Sequence, residues 1–223
     1  MNYTELSKSA LLEEIEKKSK AIIKLGKILG EITSDLEMFD FFLIGALNRT
    51  INISKAYVHL IRENNFIAAA PLIRVNIDTL LRLYASLISE FDRNTFAQKV
   101  MDGEIISKMK LNGTNKLLQD KLLYSELSKI DGMHWVEDIY KAGSAFVHFE
   151  KSHIFSSLKQ SEEDRHTFNM TIGFHDFFIP ESEKTGSAIW MNKILDAIVI
   201  QAQIWFFEKA ERIGVNIEDL NSN

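Results

Sequence analysis

Residues 66–90 read F-I-A-A-A-P-L-I-R-V-N-I-D-T-L-L-R-L-Y-A-S-L-I-S-E, an apolar helix that carries charge where a core helix has no room for it. Arg74, Asp78 and Arg82 recur every fourth residue, so on a helix they stack along one stripe. Ile73, Ile77, Leu80, Leu81, Leu83, Tyr84 and Leu87 fill most of the remaining circumference, which implies that the charged stripe is itself covered. A covered arginine needs partners, because an unpaired buried charge is strongly destabilising. Asp78 supplies one from within the helix. A second set lies in residues 140–148, Y-K-A-G-S-A-F-V-H, where Tyr140, Ser144 and His148 fall at i, i+4 and i+8. The two stripes are predicted to face each other. Arg74 should then approach His148, and Asp78 should bond to Arg74 or to a neighbouring donor.

The rest of the chain reads as helical. With 223 residues and 46% hydrophobic content it can build one substantial core, and a single domain over 1–223 is expected. Two prolines and ten glycines are too few for a turn-rich β architecture. The fold class expected is mostly α, a helical bundle with a small β-hairpin insertion. Residues 1–33 form an outer helix whose apolar seam (Leu11, Ile15, Ile22, Leu25, Leu29, Ile32) is interrupted by Lys18. Ser34 and Glu37 have capping-box spacing, which starts a second helix near Asp35 that runs to about Glu63. Asn64 and Asn65 break it and cap the helix that holds Arg74, where Pro71 predicts a bend or a late start. Asp92 and Asn94 can cap a short helix ending near Gly103, and further helices are predicted over 115–129 and 135–149. Phe168, Met170, Ile172 and Phe174 alternate with polar residues, so residues 152–175 are expected to form a hairpin, with 154–158 as the partner strand. Residues 186–214 close the chain as a core helix, expected to be the most buried.

Charge and motif content narrow the function classes. A net charge of −5 argues against a generally basic nucleic-acid-binding surface. The absence of cysteine excludes disulfides and thiolate metal sites, and with the polar N-terminus it predicts a cytoplasmic protein without a secretory leader. Residues 188–207 are apolar, but Asn192, Lys193, Asp196, Gln201 and Gln203 interrupt them, so a buried helix is expected and no membrane partner. No phosphate-binding G-x-x-x-x-G-K-[ST] or G-x-G-x-x-G sequence occurs, and no G-x-S-x-G elbow surrounds Ser144. A mid-helix serine usually bonds the carbonyl four residues back. His148, Glu150 and His153 lack the H-E-x-x-H pattern, so neither a metal nor a cofactor is expected.

An R-x-x-x-D stripe on one core helix and a Y-K-x-x-S-x-x-x-H segment on a later one resemble the HEPN superfamily (higher eukaryotes and prokaryotes nucleotide-binding), in particular its bacterial branches. The residues that carry the resemblance are Arg74 with Asp78, and Tyr140, Lys141 and Ser144 with His148. It implies a HEPN-like bundle that pairs into a homodimer with a cleft along the dimer axis. It also implies a metal-independent ribonuclease, or an RNA- or nucleotide-binding component of a bacterial defence or toxin-antitoxin-like system. His148 would be the general acid or base, Arg74 or Lys141 would stabilise the phosphate, and Ser144 would belong to the catalytic set. Asp78, Tyr140 and Arg82 would support binding. The chain departs from the ribonuclease pattern, which separates an arginine from its catalytic histidine by four to six residues. The matching places here hold Lys141, Ala142 and Gly143. The alternative is a non-catalytic helical module, binding a protein or a nucleotide, in which the polar residues are a structural network.

Overall fold

A computed structural model describes residues 2–32, 35–148, 151–161, 164, 166–173 and 175–214. The chain is mostly helical, with one small two-stranded antiparallel sheet. Its elements are α1 (Lys8–Ile32), α2 (Met38–Arg62), α3 (Phe66–Ile88), α4 (Arg93–Met101), α5 (Asp120–Leu127), α6 (Trp135–Val147), α7 (Lys151–Phe155), β1 (Leu158–Gln160), β2 (Phe168–Met170) and α8 (Glu181–Ile213). Helix α3 is the centre of the bundle and packs against α2, α4, α5, α6 and α8, while α1 covers α2 and α8. One cluster of buried side chains extends from Tyr3 to Phe206. Among the described residues no helix is long and apolar enough to cross a membrane.

The centre of the fold differs from the expectation that the last helix is the most buried. In α3, 13 of 23 residues are buried, against 15 of 33 in α8. The difference follows from position: α3 is contacted from several sides, whereas one face of the longer α8 meets solvent. The seam of α1 is buried as read, with Leu11, Ile15, Ile22 and Leu29 at 1% exposure or less. Its interrupting Lys18 does not remain bare. The ammonium pairs with Asp196 at 2.6 Å and donates to the Asn192 carbonyl at 3.2 Å, while its stem crosses the apolar seam.

Several boundaries move, each for a local reason. Helix α2 starts at Met38 rather than near Asp35, because Glu37 is itself the cap: its N–H donates to the Asp40 carboxylate at 2.7 Å. Ser34 lies outside the described residues. Asn94 does not cap α4. It accepts from the Phe39 N–H at 3.0 Å, and Asp92 alone caps α4 by accepting from the Thr95 N–H, also at 3.0 Å. Pro71 does not delay α3, since Asn65 accepts from the Ala68 N–H at 3.2 Å and the Asp176 carboxylate accepts from the Phe66 N–H. Helix α5 begins at Asp120 rather than 115, because isolated bridges between Ser89 and Leu111 and between Lys110 and Leu117 hold the preceding residues extended.

Helix α8 begins at Glu181, five residues before the expected 186. Pro180 cannot continue a helix on its N-terminal side, and Glu181 and Glu183 in the first turn suit the positive helix end. It ends at Gly214, whose φ of 70° is a left-handed cap. The sheet is shorter than expected. Residues 151–155 are helical and the strands are three residues each, paired Leu158 to Met170, Lys159 to Asn169 and Gln160 to Phe168. The partner strand begins at Leu158 rather than Ile154, because Ile154 and Phe155 supply apolar residues to a helical turn. Phe174 lies outside the described residues.

Candidate functional site

Helix α3 presents Arg74, Asp78 and Arg82 toward α5 and α6, the two helices that pack on that side. What lets α6 come so close is Gly143. A Cβ built there would lie 3.1 Å from the Arg74 Cβ and 3.3 Å from its Cα, tighter than ordinary packing allows. At that separation Tyr140 and Ser144, one turn apart on α6, flank the Arg74 side chain. Arg74 Nε donates to Ser144 Oγ at 3.3 Å and Nη2 donates to the Tyr140 hydroxyl at 2.5 Å. The guanidinium also lies over the Tyr140 ring, 3.8 Å from its centroid.

The centre of the cluster is a residue that the sequence reading did not assign to it, Asp120 in the first turn of α5. Its Oδ2 accepts from Arg74 Nη2 at 3.1 Å and from the Tyr140 hydroxyl at 2.7 Å, and its Oδ1 accepts from Arg82 Nη2 at 2.6 Å. Asp78 closes the other side, accepting from Arg82 Nη2 at 2.8 Å and from Arg49 Nη1 of α2 at 3.4 Å. Arg74 Nη1 lies 4.0 Å from Asp78, so Asp78 serves Arg82 and Arg49 first. Arg82 Nη1 is the exception, buried without a partner. The side chains are 17% to 30% exposed across Arg74, Asp78, Arg82 and Asp120, so the cluster is shielded without being sealed.

The electrostatics follow from this pairing. Partial burial pushes the Asp120 carboxyl up, but the Tyr140 hydroxyl and the two guanidiniums outweigh it and hold the carboxyl below the usual range. Burial and the facing Asp120 carboxylate push the Tyr140 hydroxyl up to about 12, so the phenol stays protonated and donates. The Ser144 hydroxyl proton goes to the Tyr140 carbonyl at 2.9 Å, the back-bond expected of a mid-helix serine. Its lone pair accepts from Arg74, and among the described residues no histidine or carboxylate hydrogen-bonds to it, so Ser144 is placed as a ligand of the guanidinium.

His148 and Lys141 stand apart from this cluster. Helix α6 ends at Val147, and His148 caps it in extended backbone (φ −94°, ψ 145°), so the i+8 step of the stripe is broken. The residue is exposed, and among the described residues no hydrogen bond joins its ring to Arg74. Lys141 is exposed and pairs with Glu137 one turn back at 2.7 Å, which raises its pKa. It takes no place beside Arg74. The structure thus brings together Arg74, Asp78, Arg82, Tyr140 and Ser144, adds Asp120 and Arg49, and leaves His148 and Lys141 on the surface. The described residues contain no group of three acidic or histidine side chains that could hold a metal ion. No family model, curated protein or solved structure matches this chain.

Proposed function

We propose that this chain is a HEPN-like helical module that works by association, first with a second copy of itself, and that its Arg74 cluster is a structural clamp. The observation that carries the clamp is the internal pairing of Arg74: its Nε and Nη2 donate to Ser144, Tyr140 and Asp120 of the same chain, and Nη1 lies 4.0 Å from Asp78. Arg49, Arg74 and Arg82 share two carboxylates, Asp78 and Asp120, so each carboxylate is held by at least two guanidiniums and the cluster is a closed ion-pair network around Arg74. Exposed large apolar side chains elsewhere, including Phe41 at 45% and Phe207 at 59%, give such a module surface for pairing.

The test combines mass and activity. Light scattering on the purified protein should give twice the chain mass, and the protein should leave single-stranded RNA intact in EDTA. Asp120→Ala should lower thermal stability, as expected of a clamp. A monomer at every concentration tried sinks the association reading.

A metal-independent ribonuclease is the second reading, and one observation favours it. His148 is open to solvent at the end of the helix that holds Tyr140 and Ser144, free to act as general acid or base. Under that reading RNA is cleaved in EDTA, and His148→Ala abolishes cleavage without changing stability.

A further inference from the structure

A group of four phenylalanine side chains around an open space has no part in the Arg74 cluster. A cavity of about 270 Å3 lies where α3 begins and α6 ends, walled by Phe66, Phe146, Phe155 and Phe178. Phe66 and Phe146 meet edge to face at 5.4 Å, so their rings turn different aspects to the space. The ring of Phe155 already attracts a cation, the Lys151 ammonium, 5.4 Å from its centroid. A second cavity of about 330 Å3 opens alongside and shares Ile67, His153 and Ser156 with the first.

The carboxylates lining this space face no lysine or arginine in the described lining, although the histidines His153 and His175 also line it. Among the described lining residues the charged ones are Glu183 in the first cavity and Asp176 in the second, with no lysine or arginine. Asp176 is committed to the Phe66 N–H at the start of α3. Glu181, one turn from the cavity, is committed to Lys8 and Lys184. The Glu183 carboxylate has no such partner among the described residues and stands exposed at the rim. Two helix N-termini adjoin the space and oppose a cation, each equivalent to about +0.5 charge. Asp176 answers the first of these, and Glu181 and Glu183 answer the second.

We propose that this cavity binds a small organic cation, an ammonium with an aromatic or apolar body. The body sits among the phenylalanine rings and the charge faces Glu183. Apolar walls with one well-placed charged group are the usual form of a small-ligand site, and the volume lies near the lower end of about 300–1,000 Å3. Ring faces add attraction for a poorly hydrated cation.

The test is calorimetric titration of the full chain with benzyltrimethylammonium, with benzyl alcohol and benzoate as the neutral and anionic probes of the same ring. Saturable binding of the cation in preference to both supports the site. Glu183→Gln, at an exposed position where folding is not at stake, should weaken it by about three- to fivefold. Phe178→Ala should weaken it by about tenfold. Absence of saturable binding overturns the proposal, as does benzyl alcohol or benzoate binding as well as the cation. An affinity unchanged in Glu183→Gln also overturns it.

Discussion

The Arg74 guanidinium stacks on Tyr140 at 3.8 Å and also donates to the hydroxyl of the same residue at 2.5 Å. One tyrosine therefore holds the arginine by its face and by its edge, and donates its own hydroxyl in a hydrogen bond to Asp120.

Tyr140→Phe keeps the ring and removes both of these hydrogen bonds. Asp120 and Arg74 each lose a partner in a shielded place, so a loss of about 1–3 kcal/mol is expected in denaturant unfolding. The titration gives an independent check. A phenol raised to about 12 binds its proton more tightly in the folded state, so its stabilisation is complete below the ordinary value of about 10 and is lost as pH rises through about 12. The tyrosinate absorbance step near pH 12 should be missing in Tyr140→Phe, while the steps of Tyr3 and Tyr57, which burial raises further, remain.

Asp120 gives the opposite sign. Its carboxyl is depressed on folding, so its stabilisation is present above the ordinary value of about 3.9 and is lost as pH falls through the lower folded value. Asp120→Asn should flatten the acid limb of stability measured by thermal unfolding. At neutral pH the cost should stay below the roughly 3–5 kcal/mol of a fully buried broken pair, since this group is part exposed. An acid limb identical to that of the wild type would exclude Asp120 as the anchor.

Gly143→Ala sets two effects against each other. Helix propensity favours alanine by about 1 kcal/mol. The new methyl, however, would meet Arg74 at 3.1 Å, and forcing the helices apart costs about 1–3 kcal/mol. Net destabilisation is expected in chemical denaturation. A stabilised variant would mean that α6 does not depend on close approach.

Lys209→Met tests a second charge pair in the bundle, one that is fully buried. Lys209 (1% exposed) pairs with Asp40 (0% exposed), which also accepts from Trp205 Nε1 at 2.7 Å. Removing the lysine alone strands a buried carboxylate and should cost about 3–5 kcal/mol by denaturant unfolding. Asp40→Asn combined with Lys209→Met should cost less than the single change.

How legible these features were depended on whether one helical period contained them. Arg74, Asp78, Arg82, Tyr140 and Ser144 repeat every four residues on two helices, so their stripes could be read and matched. Asp120 could not be read this way. It opens an eight-residue helix after an irregular segment, and along the sequence it is one acid among nearby lysines. Nothing local marks Asp40 as the partner of Lys209, which reads as an ordinary cation near a helix C-terminus. His148 falls off the helical stripe because α6 stops at Val147, and a periodic stripe carries no signal of where its helix stops. The hairpin was legible in kind and wrong in extent, since Ile154 and Phe155 suit a strand and a helical turn equally well.

The Asp40 and Lys209 side chains meet across a separation of 169 residues. Neither charge is tolerable away from water without the other, so α2 and α8 close over these positions in one step and part in one step: moving either helix alone strands a charge.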